Sequence, residues 1–380
     1  MTIAVNTRFL RDDYLEGYGY FVFETFLRIV KDHSDHQFIF IFERAFDRKF
    51  VFAENVKAVV AGPPARHPLL WKYWYDVKVP AILKKYKAAV FVSCDGFCSL
   101  STSVPQCLVI HDLSFLHYPS SIPKSHWLFY KRYTPKFLHK AKSIVTVSGF
   151  SKKDIASQYK IDEAVIDVVP NAAREVFHPL ADADKAAFKD ELTNGKEYFV
   201  YAGAIHPRKN LVNLLKAFSI FKKKQMSNWK LVLTGRLAWQ NRDFIKSLET
   251  FKYRADVILT GYVDEPKLVK IIASAYALVY PSLWEGFGVP VLEAMNCHVP
   301  VITSSNSAMQ EIAKDAALYA DPNDHNDIAE KMMMLYKDEN LRSRLILKGN
   351  IISKEYDWDR SAGLLWEDIM KAAGQEIPVV

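Results

Sequence analysis

The chain has 380 residues, of which half are hydrophobic, 13% aromatic and 24% charged. This composition is typical of globular proteins and excludes collagen-like, low-complexity and disordered chains, and the length predicts two to three domains of about 150 residues each. Lysine and arginine outnumber aspartate and glutamate by 50 to 43, and the net charge of +7 indicates an anionic partner: nucleic acid, a membrane surface or a phosphorylated small molecule.

The cysteines and the N-terminal sequence both indicate the cellular compartment of the protein. The four cysteines, Cys94, Cys98, Cys107 and Cys297, are too few and too scattered for a disulfide framework, and they lack the partners of a zinc site. We therefore expect them to be reduced and buried. The first residues lack the pattern of a signal peptide, and no apolar run reaches the length of about 18 residues that would span a membrane. The sequence predicts a cytoplasmic protein.

In chain order, short β-branched runs alternate with longer helical patterns, which is typical of βαβ units and parallel sheets. The first series predicts helices at 21–30 and 127–138 and strands at 3–5, 38–42, 56–60, 89–92, 108–110 and 144–147. The second series predicts strands at 198–203, 231–233, 257–259, 277–280, 299–303 and 317–319. Between them, the polar segment 181–196 is the predicted linker.

The fold class that follows is α/β, with two Rossmann-like doubly wound domains. We assign residues 1–175 to an N-terminal domain and residues 195–358 to a C-terminal domain, with a helix at 359–373 that packs back on the first domain. Ligands of doubly wound sheets bind beyond the carboxyl ends of the strands, so two such domains predict a site in a central cleft between them.

The most informative segment runs from Pro281 to Met295. It follows a predicted strand, turns through Gly286 and Gly288, and enters a helix with Pro290 in the first turn, where proline is tolerated. The N–H groups at such a helix start can bind a phosphate. Glu285 lies in the loop and Glu293 eight residues later on the helix. This pair fits a ligand with a reacting end and paired hydroxyls, although two solvated surface carboxylates would give the same pattern.

A second segment follows the first strand of the C-terminal series, where Gly203 precedes Arg208, Lys209 and Asn210. Asn210 is the predicted N-cap of the next helix, so the two cations lie in the loop at the carboxyl edge of the sheet. Adjacent cations at this place favour a diphosphate. An ordinary solvated basic turn is the alternative. The loop that carries Glu285 could also bind an anion and lies on the same edge, which favours the diphosphate site.

Together these two segments resemble the retaining nucleotide-sugar glycosyltransferases of family 4, the group 1 transferases with the GT-B fold. Gly235, Gly261-Tyr262-Val263, 280–282, 300–304 and 321–322 extend the resemblance through the C-terminal half, and 111–119, 147–154 and 169–171 extend it upstream, toward the mannosyltransferase-like members.

The resemblance implies that the N-terminal domain (1–175) binds the acceptor and the C-terminal domain (195–358) binds the nucleotide-sugar donor, and it implies roles for individual residues. Arg208 and Lys209 would neutralise the donor diphosphate, Glu285 would act at the donor sugar, and His111 would approach that sugar from the N-terminal domain; these four are the candidate catalytic residues. Glu293 would hold the ribose, and Tyr262 and Val263 would border the base. The implied donor-binding set is Gly17, Gly19, Gly203, Arg208, Lys209, Gly235, Tyr262, Val263, Glu285, Gly286, Phe287, Gly288, Leu292 and Glu293.

The sequence departs from the family pattern at two places. Gly17-Tyr18-Gly19, expected as a loop that closes over the phosphates, stands where the family usually has adjacent glycines, and His298 stands where it usually has glycine. No Asp-x-Asp ends a strand of the first half, so no metal and no other cofactor is expected. Retention is implied, by front-face attack or by double displacement on Glu285.

The predicted function is transfer of a hexose, by preference mannose from its GDP sugar, otherwise from a UDP sugar, to a glycan or lipid-linked glycan in polysaccharide or lipopolysaccharide synthesis. A nucleotide-sugar epimerase of the same fold and a non-catalytic sugar-nucleotide-binding protein are the alternatives; no motif supports nucleic acid as partner.

The positive charge is unevenly distributed. Residues 1–180 hold 24 basic and 17 acidic side chains, whereas residues 181–380 hold 26 of each. Lys131, Arg132, Lys136, Lys140 and Lys142 alternate with aromatic residues in a basic stretch that suits an anionic membrane surface or a phosphorylated acceptor, although a solvated helix face would look similar. The expected location is therefore cytoplasmic, with peripheral contact to the inner face of the membrane.

Overall fold

The computed structural model describes residues 1–11, 15–238 and 241–375. The chain divides into two compact units. Unit 1 holds Met1–Asn171 together with the residues from Asp357 onward, and unit 2 holds Ala172–Tyr356. Each unit is built on one parallel sheet, with helices between successive strands.

Thirteen strands are present in the described residues, and all their pairings are parallel. Those of unit 1 are β1 (Thr2–Asn6), β2 (Gln37–Phe42), β3 (Val56–Val60), β4 (Val90–Ser93), β5 (Gln106–Val109), β6 (Ser143–Thr146) and β7 (Ile166–Val168), in the sheet order β3-β2-β1-β4-β5-β6-β7. Those of unit 2 are β8 (Tyr198–Ala202), β9 (Lys230–Thr234), β10 (Val257–Gly261), β11 (Ala277–Tyr280), β12 (Val301–Ser304) and β13 (Ala317–Ala320), in the order β10-β9-β8-β11-β12-β13.

The helices are, in chain order, α1 (Gly17–Asp32), α2 (Pro68–Tyr73), α3 (Val79–Lys85), α4 (Ser114–His117), α5 (Lys124–Lys140), α6 (Gly149–Tyr159), α7 (Asp182–Thr193), α8 (Leu211–Gln225), α9 (Arg242–Glu249), α10 (Glu265–Ala273), α11 (Val289–Asn296), α12 (Met309–Ala313), α13 (His325–Lys337), α14 (Glu339–Ile352) and α15 (Trp358–Ala373). A π-helical segment, Trp74–Lys78, joins α2 to α3 without a break.

Both sheets are doubly wound, as the sequence predicted. In each, the strand order reverses beside the first strand of the unit, between β1 and β4 and between β8 and β11. The central strands are near-continuous runs of apolar residues because helices cover both faces of such a sheet. The fold therefore supplies one switch point in each unit, where strand ends diverge and leave room for a ligand.

Two details differ from the sequence-based expectation. The polar segment 181–196, predicted as a linker, contains α7, which packs against α10 within unit 2. Its acidic first turn and the left-handed Asn194 that ends it are ordinary helix signals that its polarity had obscured. The short edge strand β7 was not predicted, since three residues give too little pattern to detect.

The last helix belongs to unit 1, although the whole of unit 2 separates it from the rest of that unit in the sequence. Trp366 of α15 stacks on His33 after α1 with ring centroids 3.6 Å apart, and Ser143 of β6 donates a hydrogen bond of 2.6 Å to the buried Asp368. None of the described helices is long and apolar enough to cross a membrane.

Candidate functional site

The predicted catalytic residues of unit 2 meet at its switch point. Arg208 and Lys209 follow β8 in a short 3₁₀ turn, Pro207–Lys209, and Glu285 lies in the loop that follows β11. Because β8 and β11 are parallel neighbours, their carboxyl ends lie side by side at one edge of the sheet. Side chains 76 residues apart in the sequence are thereby brought into contact.

Glu285 is paired with both cations. Its Oε1 lies 2.5 Å from Nζ of Lys209, and its Oε2 lies 3.2 Å from Nη1 of Arg208. Arg208 also donates from Nη1 to the carbonyl of Trp284, and Lys209 donates to the hydroxyl of Tyr280 over 2.6 Å. The cluster carries one net positive charge, from two cations and one carboxylate, before any ligand binds.

The electrostatics of the cluster hold Glu285 ionised. Burial, with only 6% of the residue exposed, raises the pKa of Glu285, but the positive charges of Lys209 and Arg208 outweigh this effect and lower the pKa to about 2. Burial together with the charge of Glu285 raises the pKa of Tyr280 well above its ordinary value. Near neutral pH the site therefore presents a carboxylate, two cations and a neutral phenol.

The structure corrects the role predicted for Asn210. This residue begins α8 at a left-handed φ of 63°, and its side chain does not cap the helix. Instead Nδ2 donates to the carbonyls of Pro281, over 3.0 Å, and Pro322, over 2.6 Å. Asn210 thus ties the loop after β8 to the loop after β11, which keeps the two cations beside Glu285.

Three glycines predicted from the family pattern follow neighbouring strands. Gly203, Gly235 and Gly261 come at the ends of β8, β9 and β10 with φ of 144°, 134° and 69°. A Cβ added to Gly235 would lie 2.0 Å from the carbonyl oxygen of Gly203, so the two backbones are in direct contact. Glycine at 235 is therefore a steric requirement.

The loop that carries Glu285 ends at Gly288, which adopts a left-handed φ of 100° immediately before α11. A Cβ at Gly288 would meet Cε of Met309 at 2.4 Å. Pro290 lies in the first turn of α11, as predicted. Gly286 and Phe287 are both buried in this loop, and the Phe287 ring packs edge-on against Tyr356 at 5.5 Å.

Glu293, predicted to hold a ribose, is buried on α11 and ion-paired with Arg174. The Arg174 guanidinium donates to Oε1 of Glu293 from Nη2, over 2.7 Å, and from Nε, over 2.9 Å. Its Nη1 also donates to Glu265 over 2.6 Å. Sequence reasoning missed Arg174, because nothing in the local pattern of an isolated arginine indicates a partner 119 residues away.

The remaining predicted donor contacts of unit 2 differ in accessibility. Tyr262 is 49% exposed and Val263 is half-buried, just beyond the end of β10. Leu292 is completely buried, so its side chain belongs to the core of unit 2, and a contact with a ligand would have to come from its backbone. His298 adopts a left-handed φ of 57°, the conformation for which glycine is favoured at this turn.

His111 belongs to unit 1, where it follows β5. Its Nε2 lies 3.0 Å from the carbonyl oxygen of Cys94, to which it donates, and its ring contacts Tyr18 and Phe21 with centroids 4.6 and 5.1 Å away. Burial among these groups lowers the pKa of His111 to about 4. A neutral imidazole with its Nε2 proton on a carbonyl keeps the Nδ1 lone pair as an acceptor.

The expected loop of Gly17-Tyr18-Gly19 is instead the first turn of α1. A Cβ at Gly19 would meet the carbonyl oxygen of Phe9 at 2.7 Å, whereas Gly17 has open space around it. Gly19 is therefore required where the helix start approaches the chain leaving β1. The expectation of a separate closing loop at these three residues is wrong, because the helix begins earlier than its glycines suggested.

A polar cluster that sequence reasoning did not predict lies at the switch point of unit 1. Arg8, which follows β1, donates from Nε to Asp95, which follows β4, over 2.7 Å. Tyr75 donates to the same carboxylate over 2.7 Å and accepts a hydrogen bond from Asn6, also over 2.7 Å. These four side chains form a buried, hydrogen-bonded network at the carboxyl edge of the sheet.

Metal ligation was tested over the described parts of the chain, 1–11, 15–238 and 241–375. Within them, no three His, Cys, Asp or Glu side chains come together closely enough to hold a metal ion. The four cysteines are free and buried, as predicted. Burial raises the pKa of Cys297 to about 12 and the pKa of the other three thiols further, so none is a thiolate at neutral pH.

The fold and the site define an α/β protein of two doubly wound units, one of which carries a buried carboxylate between two cations at its switch point. Residues 182–350 match the family model of the group 1 glycosyl transferases, and residues 32–174 match that of Glycosyltransferase Family 4. The chain belongs to the group 1 glycosyltransferases, as its sequence motifs had indicated.

Two curated relatives are named as bacterial O-antigen chain mannosyltransferases. The chain is 30% identical to the O-antigen chain mannosyltransferase B of Escherichia coli over 258 residues, 66% of each protein. It is 28% identical to the O-antigen chain mannosyltransferase RfbU of Salmonella typhimurium over 322 residues, 81% of each.

Solved structures share the fold at low identity. A sucrose-phosphate synthase from Thermosynechococcus elongatus matches with a TM-score of 0.78 at 17% identity, over 98% of this chain and 99% of that one. The Anabaena protein HepE, in complex with UDP-glucose, matches with a TM-score of 0.76 at 14% identity, over 97% and 98%. The two parallel-sheet units are those of the GT-B fold, as predicted.

Proposed function

We propose that this group 1 glycosyltransferase transfers a hexose from a nucleoside diphosphate sugar to a hydroxyl of a glycan or lipid-linked glycan, with retention of configuration and without a metal ion. The observation that carries the proposal is the buried cluster of Glu285, Arg208 and Lys209 at the switch point of unit 2. Mannose from GDP-mannose is the donor we favour, and the two O-antigen mannosyltransferase relatives support this choice.

In this mechanism the two cations stabilise the leaving group. When the bond between the anomeric carbon and the diphosphate oxygen breaks, negative charge grows on the diphosphate, and Arg208 and Lys209 are already positioned and desolvated to accept it. In the proposed mechanism, the positive charges of Arg208 and Lys209 take the place of a divalent metal ion at the diphosphate. This arrangement supports the proposal that activity needs no metal ion.

We propose two roles for Glu285. Its ionised carboxylate orients both cations before the donor arrives, and it faces the positive charge that develops on the anomeric carbon. The acceptor hydroxyl attacks that carbon on the face from which the diphosphate leaves, and its proton passes to a diphosphate oxygen. Glu293 is proposed to bind the ribose hydroxyls, with Arg174 holding its carboxylate in place.

The donor contacts proposed for Gly203, Gly235, Tyr262, Val263 and the backbone of 286–288 follow from their places at the same strand edge. Roles for His111, Gly17 and Gly19 toward the donor stay predictions. We assign the acceptor to unit 1, whose polar switch-point cluster and aromatic side chains suit a carbohydrate. Four reduced cysteines are typical of a protein that works in the cytoplasm, which is the location we propose.

The test is transfer activity with a panel of nucleotide sugars. The purified chain is incubated with GDP-mannose, UDP-glucose and related donors, with and without a glycan acceptor, and in the presence of EDTA. We expect acceptor-dependent product, unaffected by EDTA, whose new glycosidic bond has the donor's anomeric configuration by NMR. Conversion of the donor without acceptor would indicate an epimerase, and binding without turnover in any mixture would indicate a non-catalytic protein.

A further inference from the structure

The positive charge of the chain is concentrated on one part of unit 1. Residues 66–87, which form α2, the π-helical segment and α3, and residues 124–142, which form α5 and its C-terminal flank, contain Arg66, Lys72, Lys78, Lys84, Lys85, Lys87, Lys124, Lys131, Arg132, Lys136, Lys140 and Lys142. Against these 12 cations stands one acidic residue, Asp76. The rest of the chain then holds 38 basic and 42 acidic residues, a net charge of −4, compared with +7 for the whole.

The two segments are neighbours in the fold. Trp71 of α2 packs against His126, Phe129 and Tyr130 of α5, with ring centroids 4.7, 5.2 and 5.7 Å apart. Nζ of Lys72 lies 5.6 Å from the ring centre of Tyr133 on α5. We call the solvent-exposed surface of residues 66–87 and 124–142 the basic face.

Large apolar side chains lie exposed within the basic face. Leu69 is 76% exposed, Tyr73 41% and Val77 52%, and their spacing of four residues places them along one side of the continuous helix that starts with α2. On α5, Leu128 is 51% exposed, beside the exposed Lys131 and Arg132. These exposed apolar side chains do not belong to the core of unit 1, which contains Trp71, Trp74 and Phe129.

We propose that the basic face is a membrane-docking surface, which lays α2 and α5 on an anionic phospholipid bilayer. Lysine and arginine are drawn to the negative surface potential of such a bilayer, while exposed apolar side chains enter the boundary between headgroups and acyl chains. A soluble polyanion such as nucleic acid would satisfy the charges but would leave Leu69, Val77 and Leu128 without a partner. The combination of both features favours a lipid surface.

The test is sedimentation of the full chain with vesicles. Vesicles of phosphatidylcholine containing about 30% phosphatidylglycerol are compared with phosphatidylcholine alone, at about 0.1 M and about 1 M salt, where the screening length falls from about 10 to about 3 Å. We expect binding to the anionic vesicles at low salt and little binding in the other conditions. Equal binding to phosphatidylcholine alone would overturn the proposal.

Two triple variants test whether vesicle binding depends on the basic face or only on the net charge of the chain. The triple variant K131E/R132E/K136E should weaken binding to anionic vesicles by about tenfold or more, because each basic residue near the surface contributes separately. The matched control, K216E/K223E/K224E on exposed positions of α8 in unit 2, changes the net charge equally and should have little effect. Equal weakening by both triples would overturn the assignment to the basic face.

The uncharged variant L69S/L128S keeps every cation and removes two exposed apolar side chains. We expect it to bind the anionic vesicles several-fold more weakly at low salt, with the same circular dichroism spectrum as the wild type, because both side chains lie at the surface. Unchanged binding would overturn docking on a bilayer and indicate a purely electrostatic anion-binding face. These measurements use vesicles alone, so they are independent of the transferase reaction and of the identity of its donor.

Discussion

Exchange of Glu285 for glutamine removes one negative charge from the cluster of Glu285, Arg208 and Lys209 and preserves its shape. The glutamine carbonyl can still accept a hydrogen bond from Lys209, which lies 2.5 Å from Oε1 of the native carboxylate. Any large change in function therefore reflects the lost charge. The variant discriminates between a carboxylate that takes part in the reaction and one that only neutralises buried cations.

The magnitude follows from the pKa of Glu285. A fall from 4.5 to about 2 in a buried group corresponds to about 3 kcal/mol, at about 1.4 kcal/mol for each pKa unit, by which the surroundings favour the ionised form. Arg208 and Lys209 are the source of this preference. Without the carboxylate, both cations act on a diphosphate alone, and we expect GDP or UDP to bind up to about tenfold more tightly, since part of the effect is screened by water.

Turnover should change in the opposite direction. Removal of one preorganised charged group from an active site costs on the order of 10²–10³ in kcat, and we expect a loss of this size for E285Q. The assays are steady-state transfer kinetics with the preferred donor and calorimetric titration with the nucleoside diphosphate. Glu339→Gln, an exposed glutamate of unit 2 paired with Arg342, is the matched control and should leave both quantities unchanged.

The pH dependence gives a second check. Because the folded pKa of Glu285 lies below its ordinary value, the stability that this carboxylate contributes is fully present above about pH 4.5 and is lost as the pH falls toward 2. The stability difference between wild type and E285Q should therefore be constant from about pH 5 to 8. Weaker diphosphate binding by E285Q, in parallel with the loss of turnover, would refute the reasoning.

Three further variants test features on which the site or the fold depends. Gly235→Ala should destabilise the protein by about 3 kcal/mol, since the added Cβ would lie 2.0 Å from the Gly203 carbonyl oxygen, as measured by denaturant unfolding. Arg174→Met should cost about 3–5 kcal/mol in the same assay, because it leaves the buried Glu293 carboxylate without its guanidinium partner. Asp368→Asn should raise the melting temperature near pH 8.5 and have little effect near pH 4: burial raises the pKa of Asp368 to about 7, so the wild type loses stability as the pH rises from about 4 through 7.

Each of these variants has a control. Gly261→Ala places a Cβ at a left-handed φ of 69° with no atom within 4 Å, and should cost only about 1 kcal/mol; an equal loss at both glycines would contradict the steric explanation for Gly235. The double variant R174M/E293Q should be more stable than R174M, and failure of this rescue would contradict the buried-charge explanation. For Asp368, a stability difference that does not change with pH would show that the carboxyl does not titrate as inferred.

Much of the candidate site in unit 2 could be predicted from local sequence. Gly203 with Arg208 and Lys209, and Glu285 with Gly288 and Pro290, lie in short strand-loop-helix segments whose apolar runs, glycines and first-turn proline are read directly from neighbouring residues. Since the parallel strands of one sheet end at the same edge, the alternation of strands and helices was enough to place both loops at that edge. That β8 and β11 are neighbours was decided by the sheet order. Local propensity and covalent spacing determined this part.

The interactions between distant segments were decided by tertiary structure alone. Asn210 was expected to cap its own helix, and instead it donates to carbonyls of two other loops. Arg174 reaches a glutamate 119 residues away, and the basic face joins two helical segments that are separate in the sequence. In each case the partner is set by which strand ends and helices become neighbours after packing, which residue spacing along the chain does not encode.

The sequence by itself determined the fold class, the positions of nearly all strands along the chain and the family, and it singled out Arg208, Lys209 and Glu285, because these depend on signals from neighbouring residues. A C-terminal helix packing back on the first domain was also expected from the sequence. The sequence did not determine that Glu293 is ion-paired with Arg174, or that Leu69, Val77 and Leu128 are left exposed on the basic face. Burial and ion pairing depend on the distances among all side chains in the folded chain, and these are fixed only when the sheets and helices have packed.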